Sequence, residues 1–450
     1  MLFSLNAVGA LLISRGKSMS LRKNGYIQRI VDAKIEEYLQ IFGAVLIEGP
    51  KWCGKTWTSL NHANSVIYIM DPVGNYSNRA LAQLDPALAL PGEAPRAIDE
   101  WQMVPSIWDA VRFDIDQNPG HGKYLLTGSS LPPRDSYGHS GTGRIAAIQM
   151  RPMSLFESMD STGAVSLGAL FNNEKFDPFV ADFDLDRLID ISIRGGWPET
   201  LKIPKNKASR VAAEYINAIS RNELFGDGGV KRDQSKVRKL LRSLARNNAT
   251  TAGIKTLSMD IDGIDRQNAS DKEVFISRDS VSSYLMSLKE IFVIDEIPAW
   301  DPGVRSKTIM RSAPKRVFTD PSLAIAALGI GKQRFFNDLH TFGFMFENLC
   351  IRDIMIYADY YGGSVYHYRD NSGLEVDAIV EMPDGAWGAF EIKLGEAQVE
   401  TAAKALLRLR DKMTSAAVDP PTCLAVITGG GFARLRGDGV YVLPINALRH

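Results

Sequence analysis

The sequence predicts an α/β fold: a parallel sheet in the first part, a winged-helix-like helical middle, and a second α/β unit at the end. Three observations predict it. Short apolar runs alternate with helical patterns early in the chain, amphipathic helices take over after about residue 204, and strands separated by NSG and PDG turns fill the last third. At 450 residues the chain is too long for one compact core. The expected division is a loose tail over 1–24, then units over 25–204, 205–335 and 336–450.

Taken in order, Tyr26–Phe42 has apolar residues at helical spacing, and Ala44–Gly49 is an apolar run ending in glycine, read as a buried strand. Ser65–Asp71 and Lys123–Ser130 read as further strands, with a helix over Pro105–Ile115 between them. In the middle, Ser235–Ala249 is an amphipathic helix with Val237, Leu240, Leu241 and Leu244 on one face and Lys239, Arg242 and Arg246 on the other. A helix over Ser277–Glu290, capped by Ser277 or Asp279, and a strand over Ile291–Ile297 complete the winged-helix-like pattern. The last third opens with a helix over Phe342–Tyr357. Strands SVYHYRD, LEVDAIVEM and AWGAFEIKLG, a helix over Glu396–Lys412 and strands TCLAVIT and GVYVLPI follow.

With 45% hydrophobic and 23% charged residues, the composition excludes wholesale disorder, collagen and a whole-chain coiled coil. Fifty-two basic residues balance fifty-two acidic ones. The balance is uneven along the chain: residues 1–200 are net −4, residues 201–335 net +9 and residues 336–450 net −5. A polyanion therefore belongs in the middle. Cys53, Cys350 and Cys423 are odd in number and widely spaced, which suggests neither a disulfide framework nor a zinc site and fits a reducing, cytoplasmic setting. No apolar run reaches membrane-spanning length, so no membrane partner is expected. The apolar start lacks a basic leader and reads as a tail rather than a signal peptide, with Met19 an alternative start.

Gly49-Pro50-Lys51-Trp52-Cys53-Gly54-Lys55-Thr56 fits G-x-x-x-x-G-K-[ST] in full, between a strand and a helix that continues through Trp57. Glycines let backbone N–H groups approach phosphates, and the helix N-terminus adds partial positive charge. Lys55 is expected to reach the terminal phosphates of ATP, and Thr56 to ligate Mg²⁺. Asp99 is the expected second metal-site acid and Glu100 the base for water, at the end of the short run Ala97-Ile98. Ser129, in the strand-end turn TGSS, is a candidate sensor of the γ-phosphate, and Arg144 a candidate arginine finger.

GPKWCGKT, AIDEWQMVP, LLTGSS, GR, RPMSLFE (Arg151–Glu157) and GGWPE (Gly195–Glu199) occur in that order. In this the chain resembles the large prokaryotic AAA-type ATPase family that pairs a P-loop domain with a C-terminal domain of unknown function. The resemblance covers nearly the whole chain after about residue 25. It implies ATP binding through Lys55 and Thr56 and a Walker B pair at Asp99 and Glu100. The Pro- and Gly-rich stretch LPPRDSYGHSGT departs from the family's helical texture.

In the last third Asp377, Glu391 and Lys393 form D-x₁₃-E-x-K, with Glu391 and Lys393 two apart on one strand and so on one face. Buried charges of this kind need mutual or metal partners. Asp377, Glu391 and Glu347 are the expected divalent-metal carboxylates, and Lys393 the group that positions water. The arrangement resembles the restriction-endonuclease-like fold with its Asp…Glu-x-Lys signature. His367 alternates with aromatic residues and reads as structural.

The basic middle gathers Lys231, Arg232, Lys236, Arg238, Lys239, Arg242 and Arg246, a face suited to a phosphate backbone. Expected partners are ATP, DNA along this face, and a second copy of the chain as a homo-oligomer. Two readings stay open. One is a Mg²⁺-dependent ATPase coupled to nucleic-acid handling, with a nuclease site at the C-terminus. The other is a nucleotide-dependent switch or scaffold for a protein partner, with an inert nuclease-like domain. A small-molecule kinase is disfavoured by the adjacent Asp99-Glu100.

Overall fold

The computed structural model describes residues 21–130, 138–181, 183–223, 233–267, 276–302 and 313–450. The tail over 1–20, most of the Pro-rich run before Arg144 (131–137), and Lys231 and Arg232 lie outside the described residues.

The first unit runs α1 (Val31–Ile41), β1 (Ala44–Glu48), α2 (Lys55–His62), β2 (Ser65–Tyr68), α3 (Ser77–Leu84), β3 (Arg96–Asp99), α4 (Ser106–Gln117), β4 (Tyr124–Gly128) and β5 (Ile145–Gln149). Its five strands are parallel, in the order β2-β3-β4-β1-β5. The central strand β1 is apolar at four successive positions because helices cover both faces of the sheet. Val45, Ile47, Ala97 and Leu125 enter one core cluster, and Ala44, Leu46, Ile98 and Leu126 enter another, the alternation a strand imposes. The register pairs Asp99 with Thr127 and Glu48 with Gly128, which gathers the functional strand ends along one edge.

The chain then passes through β6 (Val165–Ser166), α5 (Leu167–Phe171), β7 (Phe179–Ala181), α6 (Leu185–Arg194) and α7 (Lys205–Ala218). β7 is the outer strand of the C-terminal sheet, and β6 pairs with the last strand of the chain. Residues 165–181, expected in the first unit, are thus hydrogen-bonded into the last one. Strands of two or three residues show no periodicity that would reveal this.

The middle unit contains α8 (Gln234–Arg246), α9 (Ile254–Gln267), α10 (Arg278–Glu290), the antiparallel pair β8 (Ile294–Ile297) and β9 (Lys315–Phe318), and α11 (Pro321–Leu328). Asp233 caps α8 and Ser277 caps α10 through their side chains. Val237, Leu240, Leu241 and Leu244 are buried, as the amphipathic pattern requires.

The last unit comprises α12 (Lys332–Asn337), α13 (Leu339–Tyr360), β10 (Ser364–Arg369), β11 (Glu375–Glu381), β12 (Trp387–Lys393), α14 (Val399–Ser415), β13 (Cys423–Thr428), β14 (Gly431–Leu435), β15 (Tyr441–Pro444) and β16 (Leu448–Arg449). Its seven-stranded sheet has the order β10-β11-β12-β13-β15-β14-β7, antiparallel at both ends and parallel through β12, β13 and β15. α13 packs on one face within a core continuous with the first sheet and the middle helices, while α14 covers the other face. The three cysteines are buried free thiols. Among the described residues, no helix is long and apolar enough to cross a membrane.

Candidate functional site

The loop Gly49–Thr56 leaves β1 at its carboxyl end and enters α2. Gly49 has φ +151°, and a Cβ there would lie 2.1 Å from the Met150 carbonyl oxygen, so only glycine fits. Gly54, at φ +107°, caps α2 in the left-handed region. Lys55 is buried, and its Nζ donates to the carbonyl oxygens of Gly49 (2.9 Å) and Pro50 (2.8 Å). Asp99 Oδ1 accepts from Thr56 Oγ1 at 2.8 Å and from Thr127 Oγ1 at 2.7 Å. Burial pushes the Asp99 carboxyl up, while the two hydroxyls and Lys55 pull it back. A hydroxyl and a carboxylate oxygen side by side at the foot of the loop fit the oxygen ligand set that Mg²⁺ takes.

Glu100 follows with φ +59°, a left-handed backbone held by the hydrogen bond from its own N–H to Thr127 Oγ1 (3.2 Å). Its Oε2 accepts from Gln102 Nε2 and from Ser129 Oγ, the latter at 3.2 Å. Ser129 thus touches the expected base directly. Thr127, which bonds both acids' residues, was not singled out from the sequence; its signal is a hydroxyl at the end of the strand beside β3.

A cavity of about 660 Å³ opens over the loop, lined by Tyr26, Trp52, Lys55, Thr56, Trp57 and Trp197 among others. Trp197 stacks on Tyr215 at 5.1 Å between centroids, Trp52 meets the same ring edge-on at 6.0 Å, and the Lys202 ammonium sits 5.1 Å from the Trp57 ring. Aromatic walls beside a phosphate-binding loop suit a planar base. Lys51 and Trp52 line this cavity; Cys53, by contrast, is fully buried, its Sγ 3.7 Å from the Met150 carbonyl oxygen.

Arg144 is not in this site. It precedes β5, and its carbonyl accepts from Ala44 N at the amino end of the sheet, roughly 15 Å of strand away from the loop. Its guanidinium is half exposed and paired with Asp116 at 2.8 Å. The arginine-finger expectation therefore fails within one chain, because a residue before a parallel strand lies at the edge opposite the loop.

Buried ion pairs tie the loop to the rest of the molecule. Arg29 donates to the Cys53 carbonyl (2.7 Å), to the Arg151 carbonyl (2.8 Å) and to Glu157 Oε1 (2.9 Å). Arg352 on α13 bonds Asp320 (2.8 Å) and Asp353 (2.7 Å), and these two carboxylates accept from Gly196 N and Leu155 N. The segments RPMSLFE and GGWPE are thus the structural joints between the three units. Arg29 escaped the sequence reading because Glu157 is 128 positions away, and Arg352 because Asp320 is 32 positions away and nothing local marks Arg352 and its neighbour Asp353 as a buried pair.

The C-terminal acids do come together. Lys393 Nζ lies 2.9 Å from Asp377 Oδ2 and 2.5 Å from Glu391 Oε2. Ile392 N donates to Asp377 Oδ2 at 2.8 Å. Burial, with the nearby Asp377 charge, pushes Glu391 up to about 8, whereas Lys315 and Lys393 hold Asp377 below its ordinary value despite its burial. Burial likewise pushes Glu347 up to about 7. The expected metal set of Glu347, Asp377 and Glu391 is nonetheless not assembled: among the described residues, no three His, Cys, Asp or Glu side chains are spaced to hold a metal ion. A residue the sequence did not flag stands among these acids. Lys315, on β9 of the middle unit, bonds Glu347 Oε1 at 2.6 Å and lies 3.6 Å from Asp377 Oδ1.

On α8, Arg238, Arg242 and Arg246 form an exposed stripe, Arg246 paired with Asp260 at 2.8 Å; Lys236 and Lys239 are half-buried beside it. The end of α8 adjoins a second cavity of about 570 Å³, whose lining includes Asn247, Lys315, Glu347, His367, Arg369 and Asp377.

Comparison with known proteins matches residues 42–159 to the AAA domain family (AAA_14), residues 185–334 to a Domain of unknown function (DUF8612) and residues 342–448 to a Domain of unknown function (DUF4143). The chain carries an AAA-type P-loop ATPase domain. It is 23% identical over 427 residues, 94% of its length and 84% of theirs, to the uncharacterized proteins Mb2031c of Mycobacterium bovis and Rv2008c of Mycobacterium tuberculosis. It is also similar to the Walker-type ATPase paby2304 of Pyrococcus abyssi, at 15% identity and TM-score 0.40, covering 68% of this chain and 97% of that one.

Proposed function

We propose that the chain is a Mg²⁺-dependent ATPase whose hydrolysis shifts the packing of the three units and so couples to nucleic-acid handling, in a cytoplasmic setting. One observation carries the reading: Thr56 and Asp99 share a hydrogen bond at the foot of the glycine loop while Glu100, steered by Ser129 and Gln102, stands one residue away. The backbone of Gly49–Thr56 binds the triphosphate, and the aromatic walls take the base. Lys55 turns from its two loop carbonyls to the terminal phosphates, exchanging neutral acceptors for charged ones. Glu100 accepts a proton from the attacking water. Mg²⁺, held by Thr56 and Asp99, supplies neutralisation of developing phosphate charge.

DNA enters the proposal through the stripe on α8, three arginines at helical spacing in the part of the chain with net +9. Phosphate release measured with and without DNA, in wild type and Lys55→Ala, tests both parts. Activity lost in Lys55→Ala and raised by DNA supports the coupled reading. Turnover in Lys55→Ala equal to wild type overturns ATP hydrolysis at this loop, and indifference to DNA overturns the coupling.

A second reading is favoured by Lys315. Two ammonium groups already neutralise the C-terminal carboxylates, which suits a switch or scaffold with an inert nuclease-like domain. Plasmid nicking with Mn²⁺ by wild type but not by Asp377→Asn would exclude it.

A further inference from the structure

The C-terminal cluster holds three carboxylates, Glu347, Asp377 and Glu391, and two ammonium groups of different origin. Lys393 is two residues from Glu391 on β12 and belongs to the cluster's own sheet. It bonds Glu391 and the Oδ2 edge of Asp377. Lys315 arrives from the β8–β9 pair of the middle unit and takes what remains. Its Nζ lies 2.6 Å from Glu347 Oε1, 3.1 Å from the Asp377 carbonyl oxygen and 3.6 Å from Asp377 Oδ1. Three oxygens from a helix and a strand converge on one cation, and that cation is supplied from another unit. Its side chain is 9% exposed, so the contact is desolvated rather than a surface pair.

A second observation points to the same place. His367 on β10 is 2% exposed and lines the cavity that Lys315, Glu347 and Asp377 line. Its Nε2 has no hydrogen-bond partner, although a buried polar atom normally has one. An imidazole nitrogen without a partner, on a cavity that Glu347 and Asp377 also line, fits a divalent metal ion.

We propose that Lys315 is an interunit plug: its ammonium occupies the position between Glu347 and Asp377 where a divalent cation binds, so that lysine and metal exclude one another. The closed state is the one described above, which explains why carboxylates this near each other lack metal-binding spacing. Withdrawal of β9 leaves Glu347 and Asp377 without their shared cation, and a divalent ion of matching charge takes its place. The proposal concerns the same cluster as the nuclease reading but rests on its geometry and not on cleavage. Failure to nick DNA with Mn²⁺ bound would remove the nuclease and leave the plug.

The test is Mn²⁺ titration of the full chain without nucleotide, by calorimetry and by thermal melting. The proteins are wild type, Asp377→Asn, Lys315→Met, which keeps the packing stem without its charge, and Lys315→Met with Asp377→Asn. Expected are about tenfold or more tighter Mn²⁺ binding in Lys315→Met than in wild type and a melting temperature raised by the ion in that variant. Both effects should vanish in the double variant, which retains any background site at Asp99. Equal Asp377-dependent binding in wild type and Lys315→Met overturns the plug, and so does a folded Lys315→Met protein that binds no ion. Should Lys315→Met fail to fold, Mn²⁺ added during refolding should restore it. If the ion does not, it cannot replace the ammonium and the proposal falls.

Discussion

Asp99 and Asp377 are both half-buried carboxylates on sheet strands, each a few ångströms from a lysine-bearing element, yet they are answered differently. Asp99 is met by two hydroxyls, Thr56 and Thr127, while the nearby Lys55 spends its protons on loop carbonyls. Asp377 is met by two ammonium groups. Hydroxyls satisfy hydrogen bonds without cancelling charge, so Asp99 keeps its demand for a cation. Lysines cancel it, so Asp377 is at rest. The same residue types thus build a site awaiting a ligand in one unit and a structural ion cluster in another, and the partners decide which.

The largest effect expected from this contrast is on turnover. Glu100→Gln should lower ATP hydrolysis by about 10²–10⁴-fold with nucleotide binding retained, the range associated with loss of a general base. Asp377→Asn should leave the rate within about twofold of wild type, since no catalytic contact reaches that cluster. Phosphate-release assays on both proteins check the pair. A turnover loss in Asp377→Asn would mean the two sites are not independent.

The next effect is on stability, with the order reversed. Asp377→Asn takes from Lys315 and Lys393 the carboxylate they share and leaves each with one acid, Glu347 and Glu391, for a cost of about 1.5–3 kcal/mol. Asp99→Asn keeps an oxygen for the two threonine hydroxyls and costs about 1 kcal/mol. Urea unfolding followed by tryptophan fluorescence measures both. If the two variants were equally stable, the ionic character of the Asp377 cluster would count for nothing.

How much of this was legible in the sequence follows the range of the interactions. The glycine loop was visible because strand, loop and helix are contiguous, and the conformational demands on Gly49 and Gly54 act within that segment. Glu391 and Lys393 were visible because strand periodicity puts residues two apart on one face, and they do pair. Lys315 was not, because it reaches Asp377 across 62 positions from a strand of four residues. Arg29 and Glu157 are 128 positions apart, and no local pattern encodes their pairing. Arg144 was misassigned for a topological reason: without β5 recognised after it, nothing said at which edge of the sheet it lay.

A smaller effect concerns pH. The Glu391 carboxyl is pushed up from 4.5 to about 8 by burial and by Asp377. Between those values the folded chain holds a proton that the unfolded chain has released. Stability therefore falls as pH rises through the window, the sign set by the excess of protons on the folded side. Glu347, pushed up to about 7 by burial, adds a slope of the same sign over a narrower range. Glu391→Gln should flatten the decline in melting temperature between about pH 5 and pH 8, and an unchanged profile would show that the dyad with Asp377 titrates elsewhere.

The smallest expected effect is the most discriminating for the first unit. Arg144→Ala removes an exposed pair with Asp116 at the sheet edge opposite the loop, and Arg112 remains beside that carboxylate at 2.7 Å. An exposed ion pair of this kind contributes about 0–1 kcal/mol. A dilute, monomeric Arg144→Ala protein should therefore match wild type in turnover and nearly in melting temperature. If the loss of turnover grows with protein concentration, the guanidinium acts on a neighbouring copy's loop, where distance within one chain sets no limit. That result would place the arginine that meets the phosphates in a second subunit, and the contrast between a site awaiting its ligand and a cluster at rest would become a contrast between an interface and an interior.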